Sequence, residues 1–265
     1  MKLYLLPALV LAAISFAAFR AAYLEAGVRI RVVLIAAAFI LSAPALLYAS
    51  NYVFGVPFER WFMELRALPG TEALSGLVGA LLGMMFASSR LRPGPLNRPI
   101  LMFCTVGALG LVVGPFTWHL VFEAVNRDEF ENRWKDGVCL QSTGYSCLPA
   151  STATIMRILG KRVTEEEFAL DMGVTVDGVE TWYYLRALRA RGYDAHFRRI
   201  RSLRQAPVPS IIGVDRGALP HAVAVLAKDR QGVTLGDPMC GRKRILWSHI
   251  PTPYKPTGTC IVITP

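Results

Sequence analysis

Four apolar stretches, at residues 3–19, 32–48, 73–88 and 100–122, constrain this chain before any other feature does. Each approaches or reaches the roughly 17 to 25 residues that cross a hydrocarbon core, the third being shortest. Together they predict an N-terminal all-α transmembrane region of about four helices. The charges agree, since residues 1–125 hold 9 Lys+Arg and 5 Asp+Glu, whereas residues 126–265 hold 20 and 14. With 53% hydrophobic and 18% charged residues, the whole is too apolar for an ordinary soluble domain. The expected division is therefore residues 1–125 in the membrane, a connector at 126–135, and a globular domain at 136–265. Five cysteines in 265 residues exclude a small disulfide scaffold. The net charge of +10 comes with no basic run interleaved with aromatics, which points to anionic lipid and away from nucleic acid.

A cleaved signal peptide is the competing reading of the first stretch, because Lys2 precedes an apolar core. Arg20, Arg29 and Arg31 directly beyond it favour a retained span. The segments around 20–31 and 90–98 are net basic, whereas 51–72 sets Arg60 and Arg66 against Glu59, Glu64 and Glu72. The positive-inside rule then places the two basic loops in the cytoplasm and the domain after Val125 outside it. Phe58, Trp61, Phe62 and Leu65 follow helical spacing and predict an amphipathic helix in the outer interface. Ser75, Gly79 and Gly83, and one span later Gly110 and Gly114, form small faces suited to close helix packing within the chain, with a dimer interface as the alternative. His119 and Glu123, four apart, sit at headgroup level, where a proton or ion site is the less favoured reading.

The segment from Asp136 to Gly160, with Gln141, Cys147 and Pro149 along it, carries the most information in the chain. A loop with a cysteine runs straight into a helix: Pro149 suits the first turn, Ile155, Ile158 and Leu159 repeat with helical spacing, and Gly160 is a natural stop. Cys147 thus lies at the positive end of a helix, where the dipole and free N–H groups favour the nucleophilic thiolate. A base is found downstream. His221 opens an apolar strand at 221–228, the turn 229–232 follows, and a second strand ends at Asp237. A hairpin centred on that turn sets His221 opposite about residue 240, so an imidazole and a carboxylate meet at one end. Gln141, six residues before Cys147, supplies a side-chain amide beside the Cys147 N–H for the oxyanion that forms when a thiolate attacks a carbonyl. No Cys or His pair has zinc-ligand spacing, so neither metal nor cofactor is expected.

With Leu140-Gln141, Cys147-x-Pro149-Ala150, Pro220-His221-Ala-Val and Gly236-Asp237-Pro238, residues 136–265 resemble the bacteriocin-processing cysteine peptidases. These are papain-like enzymes that remove double-glycine leaders and are often fused to ABC exporters. The resemblance implies Cys147 as nucleophile, His221 as general base and acid, Asp237 as its orienting acid and Gln141 as oxyanion donor. A capping box at Thr164–Glu167 and a helix over 179–191 ending at Gly192 fit the family layout, with helices before strands and hence an α+β fold. Strands are expected at 193–200, 208–214, 222–228, 232–236 and 260–264. Leu148 stands where the family has glycine and is expected to narrow the oxyanion region or reshape the neighbouring subsite, and 215–219 to line the cleft. No Gly-x-x-x-x-Gly-Lys-Ser/Thr loop occurs, so no ATP-binding cassette is expected within this sequence.

The expected function is a membrane-anchored cysteine peptidase in a bacterial inner membrane with an extracytoplasmic C-terminal domain. The alternatives are an acyltransferase or peptidoglycan amidase on the same triad, or a non-catalytic peptide-binding or assembly module. Expected partners are a peptide or protein substrate, membrane lipid, and either a helix-mediated oligomer or separate export machinery. In an oxidising compartment Cys139–Cys240 is the favoured disulfide, with Cys260 buried and free.

Overall fold

Two folding units make up the chain in the computed structural model, Met1–Phe58 with Leu68–Val121, and Glu59–Ala67 with Phe122–Pro265. The structure describes residues 4–54, 60–91, 93–121, 125–176, 178–216 and 220–264. The first unit holds helices α1 (Leu5–Glu25) and α2 (Val28–Phe54). The short helix α3 (Arg60–Arg66) comes next in the chain and belongs to the second unit. A 3-10 segment (Thr71–Val78) then runs into α4 (Gly79–Leu91), and α5 (Asn97–Val121) completes the first unit. Among the described residues, four helices are long and apolar enough to cross a membrane, at the positions of the four predicted spans. The His119 and Glu123 side chains lie outside the described residues.

Small residues decide how the first and third spans meet. A side chain at Gly76, Gly79 or Gly83 would run into the carbonyl oxygens of Ala8, Ala12 and Phe16 respectively. The glycines therefore let α1 and the third span approach backbone to backbone, which is how helices associate tightly in lipid. Ser15 adds a hydroxyl donated to Gly76 O at 3.2 Å, and Ser75 donates to Glu72 O at 2.8 Å and Val112 O at 3.3 Å. The face predicted from Ser75, Gly79 and Gly83 is thus packed inside the chain. Gly110 differs, with open space where a side chain would be.

The second unit is α+β. After a 3-10 turn (Arg127–Glu129) held by an Asn126 capping box come the two-stranded β1 (Trp134–Lys135) and β2 (Val138–Cys139). Three helices follow, α6 (Cys147–Ile158), α7 (Glu165–Met172) and α8 (Thr181–Ala190). The Thr164 capping box starts α7 as predicted, and Gly160 and Gly192 take positive φ just beyond the ends of α6 and α8. The strands are β3 (Asp194–Arg199), β4 (Ser210–Asp215), β5 (Pro220–Lys228), β6 (Gly232–Asp237), β7 (Gly241–Leu246) and β8 (Pro256–Thr264). They form one antiparallel sheet in the order β3-β8-β4-β5-β6-β7. Of these, β7 was not predicted.

Helix α6 packs on β4 and β5, and its residues from Leu148 to Met156 are all buried. A helix sunk this deeply needs small side chains and satisfied hydroxyls. Thr152 donates to Leu148 O at 2.7 Å, Thr154 to Ala150 O at 3.0 Å, and Ser151 to Ala222 O of β5 at 3.1 Å. The other sheet face is covered by the loops around Leu203 and Tyr254, which enclose Ile212, Val214, Val223, Val225, Val233 and Leu235.

Helix α3 corrects the expectation of an interfacial helix. Phe62 and Arg66 are each only 1% exposed, and α3 packs on α8 and β3. Glu64 explains the placement. Its Oε1 accepts the Phe197 N–H of edge strand β3 at 2.8 Å, and its Oε2 accepts from Arg189 Nη2 at 2.6 Å. Arg189 in turn donates to the Ala195 carbonyl at 2.8 and 3.0 Å. The carboxylate and guanidinium together occupy backbone groups that an open sheet edge would expose. Phe58 lies outside the described residues, and Trp61 remains exposed. Gly79→Val and Gly83→Val are each expected to cost at least ~1–3 kcal/mol by overpacking, while Gly110→Val is tolerated; thermal unfolding of the detergent-solubilised chain measures the difference.

Candidate active site

Cys147 is the first residue of α6, as the sequence predicts, and its thiol is partly exposed. His221 begins the buried part of β5 and Asp237 ends β6, with exposures of 6% and 0%. The structure brings these three together. His221 Nε2 lies 2.9 Å from Asp237 Oδ1, and Cys147 is near enough to the ring to help raise its pKa.

A detail of register makes this meeting possible. Near the turn, Lys228 pairs with Val233 and Ala227 with Thr234. Continued unchanged, that pairing would set Asp237 opposite Ala224, whose side chain points to the other face of the sheet from His221. Between Val225 and Ala227 a β-bulge shifts the register, so Val225 pairs with Leu235 and Ala224 with Gly236. Asp237 then falls opposite Val223, on the same face as His221 two residues away, within diagonal cross-strand reach. The side-chain period of two turns this one-residue slip into a change of face.

Asp237 is buried and fully partnered. Besides His221, Oδ1 accepts the Met239 N–H at 2.9 Å, and Oδ2 accepts Tyr254 OH at 2.8 Å and Arg216 Nη2 at 2.6 Å. Burial alone would raise its pKa, but the hydrogen bonds from His221, Met239 and Tyr254 hold it well below the usual carboxylate range. His221 balances the same way. Burial pulls its pKa down, yet the Asp237 and Cys147 partners outweigh that and raise it to about 9.

Tyr254 is a site residue that sequence reasoning missed, and Arg216, expected only as part of the cleft-lining loop, is a partner of Asp237 that it did not foresee. Arg216 follows β4 and Tyr254 lies in a 3-10 turn (Thr252–Tyr254) after β7. Neither sits in a local pattern that marks it. Of the predicted cleft loop, 217–219 lie outside the described residues. Leu148 is buried, at 8% exposure.

Gln141 shares the loop before α6 and is tied to the site through its backbone, since its N–H donates to Pro238 O at 2.9 Å. Its side-chain Nε2 donates to Thr143 O at 2.7 Å. A carbonyl accepts only, which fixes the amide's orientation and leaves the second hydrogen of Nε2 available. The structure shows no bond from the Gln141 side chain to Cys147, His221 or Asp237. The predicted disulfide is corrected: Cys139 and Cys240 are both free. Cys139 Sγ faces Leu140 O at 3.8 Å and Cys240 Sγ faces Tyr254 OH at 3.9 Å, each held by its own neighbour. Burial and then the Glu165 charge push the Cys139 thiol up to about 12, so it stays a neutral packing group. Among the described residues no cluster of His, Cys, Asp and Glu fits a metal ion.

Comparison with known proteins sets this geometry in a family. The chain is 34% identical over 121 residues to an uncharacterized protein of Methanothermobacter thermautotrophicus, covering 43% of this chain and 81% of that protein. A second uncharacterized protein, from Methanothermobacter marburgensis, is 37% identical over 107 residues, covering 40% and 73%. The model of the peptidase C39 family matches residues 135–265. The chain belongs to the peptidase C39 family. Among solved structures it is similar to a double glycine motif protease from an AMS/PCAT transporter in complex with the leader peptide. That likeness has 25% identity and a TM-score of 0.43, covering 51% of this chain and 95% of that one. The C39 match begins at Lys135, within β1, so the family domain coincides with the sheet and the three helices that surround the candidate site.

The C39 domain should reveal its His–Asp contact by titration. An unfolded histidine titrates near 6.5, so the stability conferred by the raised His221 pKa is fully present below ~6.5 and is lost as pH rises through about 9. NMR of the His221 ring is expected to show a midpoint near 9, and Asp237→Asn is expected to lower it by at least ~1 unit.

Proposed function

We propose that this chain is a membrane-anchored cysteine peptidase that cleaves peptide bonds of a peptide or protein substrate through Cys147, His221, Asp237 and Gln141. The observation that carries this reading is an imidazole bonded to a buried, fully partnered carboxylate and set near a thiol at a helix N-terminus. Such a ring is held in one orientation and stabilised as imidazolium, the state that must pair with a nucleophilic thiolate.

The reaction follows in balanced steps. The Cys147 thiolate forms a bond to the scissile carbonyl carbon, and the carbonyl electron pair moves onto oxygen. The Cys147 backbone N–H and the second Nε2 hydrogen of Gln141 receive that oxyanion. His221 then gives its proton to the departing amine as the C–N bond breaks, leaving an acyl-thioester. Water attacks this ester after losing a proton to His221; the thiolate leaves, and the product is a carboxylic acid. Asp237 keeps the ring in place throughout and stabilises its charge.

The membrane reading rests on the four apolar helices, and the orientation on their loop charges. Glu59–Ala67 and residues 122–265 fold into one unit, so the chain must cross a bilayer an even number of times between them. Two further spans satisfy this, which supports the four-span count. With the basic loops in the cytoplasm, the peptidase domain is extracytoplasmic.

A thiol-reactive peptide probe tests the chemistry. Wild type is expected to label at Cys147, Cys147→Ala not at all, and His221→Ala far more slowly; turnover of any cleaved peptide should fall with His221→Ala nearly as far as with Cys147→Ala, because these residues act as a unit. Equal labelling of wild type and both variants would leave only a binding module. Protease added to wall-stripped intact cells is expected to reach the domain, and protection there with access in inverted vesicles would reverse the orientation.

A further inference from the structure

One buried carboxylate beside the site takes no part in the reaction above. Glu165, the first residue of α7, has no exposed surface, yet among the described residues its hydrogen-bond partners are not cations. Its Oε1 accepts the Ser142 N–H at 2.8 Å and its Oε2 accepts the Ser142 hydroxyl at 2.6 Å. Ser142 directly follows Gln141. A carboxylate is an expensive group to bury without a counter-ion, and both its oxygens are spent on one residue of one loop. The rest of that loop forms a chain of short bonds. The Ser142 hydroxyl accepts the Glu131 N–H at 2.9 Å, the Thr143 N–H donates to Ser146 Oγ at 3.0 Å, and the Thr143 carbonyl accepts the Gln141 amide at 2.7 Å. On its other side Gln141 is anchored through its N–H to Pro238 O. Gln141 is therefore held from two directions, by the turn after Asp237 and by a two-point carboxylate grip on the next residue.

We propose that Glu165 is a positioning residue that fixes the Gln141 amide at the oxyanion site, acting through Ser142. This rests on the peptidase reading, since it gives Gln141 a role only if an oxyanion forms on a Cys147 adduct. Loss of Glu165 frees Ser142 N–H and hydroxyl together and lets the 141–146 loop relax, so the second Gln141 hydrogen no longer meets the oxyanion. Glutamine at 165 keeps an oxygen for the Ser142 N–H and an amide for its hydroxyl oxygen, so it should restore most of the effect.

Two probes separate positioning from folding. A small peptide aldehyde ending in glycinal adds to the Cys147 thiol, forming the C–S bond and an alkoxide that draws on the oxyanion donors. Iodoacetamide alkylates the same thiol with loss of iodide and needs no such donors. In the full-length chain, Gln141→Ala and Glu165→Ala are each expected to weaken aldehyde binding ~10- to 100-fold, with the iodoacetamide rate within about twofold of wild type. The double variant should be no weaker than Gln141→Ala alone, because both act through one amide, and Glu165→Gln should recover most of the affinity. Should Glu165→Ala not fold, Ser142→Ala, which removes one of the two bonds, is expected to show a smaller loss in the same direction. An unchanged aldehyde affinity in Glu165→Ala, or a loss that adds to that of Gln141→Ala, overturns the positioning role alone. A wild type that reacts with iodoacetamide but never captures the aldehyde overturns the peptidase reading, and this inference with it.

Discussion

A buried carboxylate organises the candidate-site end of the second unit. Asp237 has no exposed surface, so each of its oxygens must be met by protein donors, or folding would carry the cost of an uncompensated charge. Those donors come from four separated places: a ring on β5, a backbone N–H in the turn after β6, a guanidinium beyond β4 and a phenol after β7. None of these segments adjoins all the others in sequence. Their convergence pins the loops over one end of the sheet, and breaking one partner of such a buried pair costs about 3–5 kcal/mol in comparable cases. The closure of Tyr254 over the sheet core and the placement of His221 are thus parts of one arrangement.

How much of this was legible depends on whether the controlling interaction is local. Cys147 at the start of α6, the Thr164 capping box, Gly192 after α8 and the β5–β6 hairpin are all set by neighbours a few residues apart, and each appears where the pattern puts it. Strand β7 escaped because Arg242, Lys243 and Arg244 are exposed, so an edge strand reads as a charged loop. The bulge that turns Asp237 toward His221 leaves no mark in Ala-Val-Leu-Ala, since any of those residues suits a bulged or a regular strand. Arg216 and Tyr254 take their roles from tertiary contacts alone. The disulfide expectation failed for a related reason: Cys139 and Cys240 each approach the site in sequence, but each thiol is held by a different neighbour.

Helix α3 shows how a segment lying between two apolar helices in the chain can complete the fold of the second unit. The period-3.6 pattern of Trp61, Phe62 and Leu65 announces an apolar face, and lipid and protein satisfy such a face equally well. What decides between them is polar. Glu64 finds the Phe197 N–H and Arg189, and Arg66 is buried with its guanidinium 5.0 Å from the Trp182 ring. The Arg66 carbonyl also accepts from Arg186 at 2.7 Å. These are strand-edge and helix-surface contacts that the family segment at 135–265 does not itself supply. A domain cut at the family boundary would therefore lose the cap on β3.

The division of labour on Asp237 follows from its two oxygens. Oδ1 serves His221 and the Met239 N–H, whereas Oδ2 serves Arg216 and Tyr254. Arg216 carries a permanent charge, so it neutralises much of the carboxylate at every stage, whether or not His221 holds a proton. A carboxylate with only the ring as partner would favour the imidazolium more strongly and surrender it less readily. The fixed cation moderates that preference while the Oδ2 bonds keep the carboxylate from rotating. His221 consequently keeps one nitrogen on Asp237, which is the arrangement the proposed proton carrier needs when it must both accept from a thiol and give to an amine.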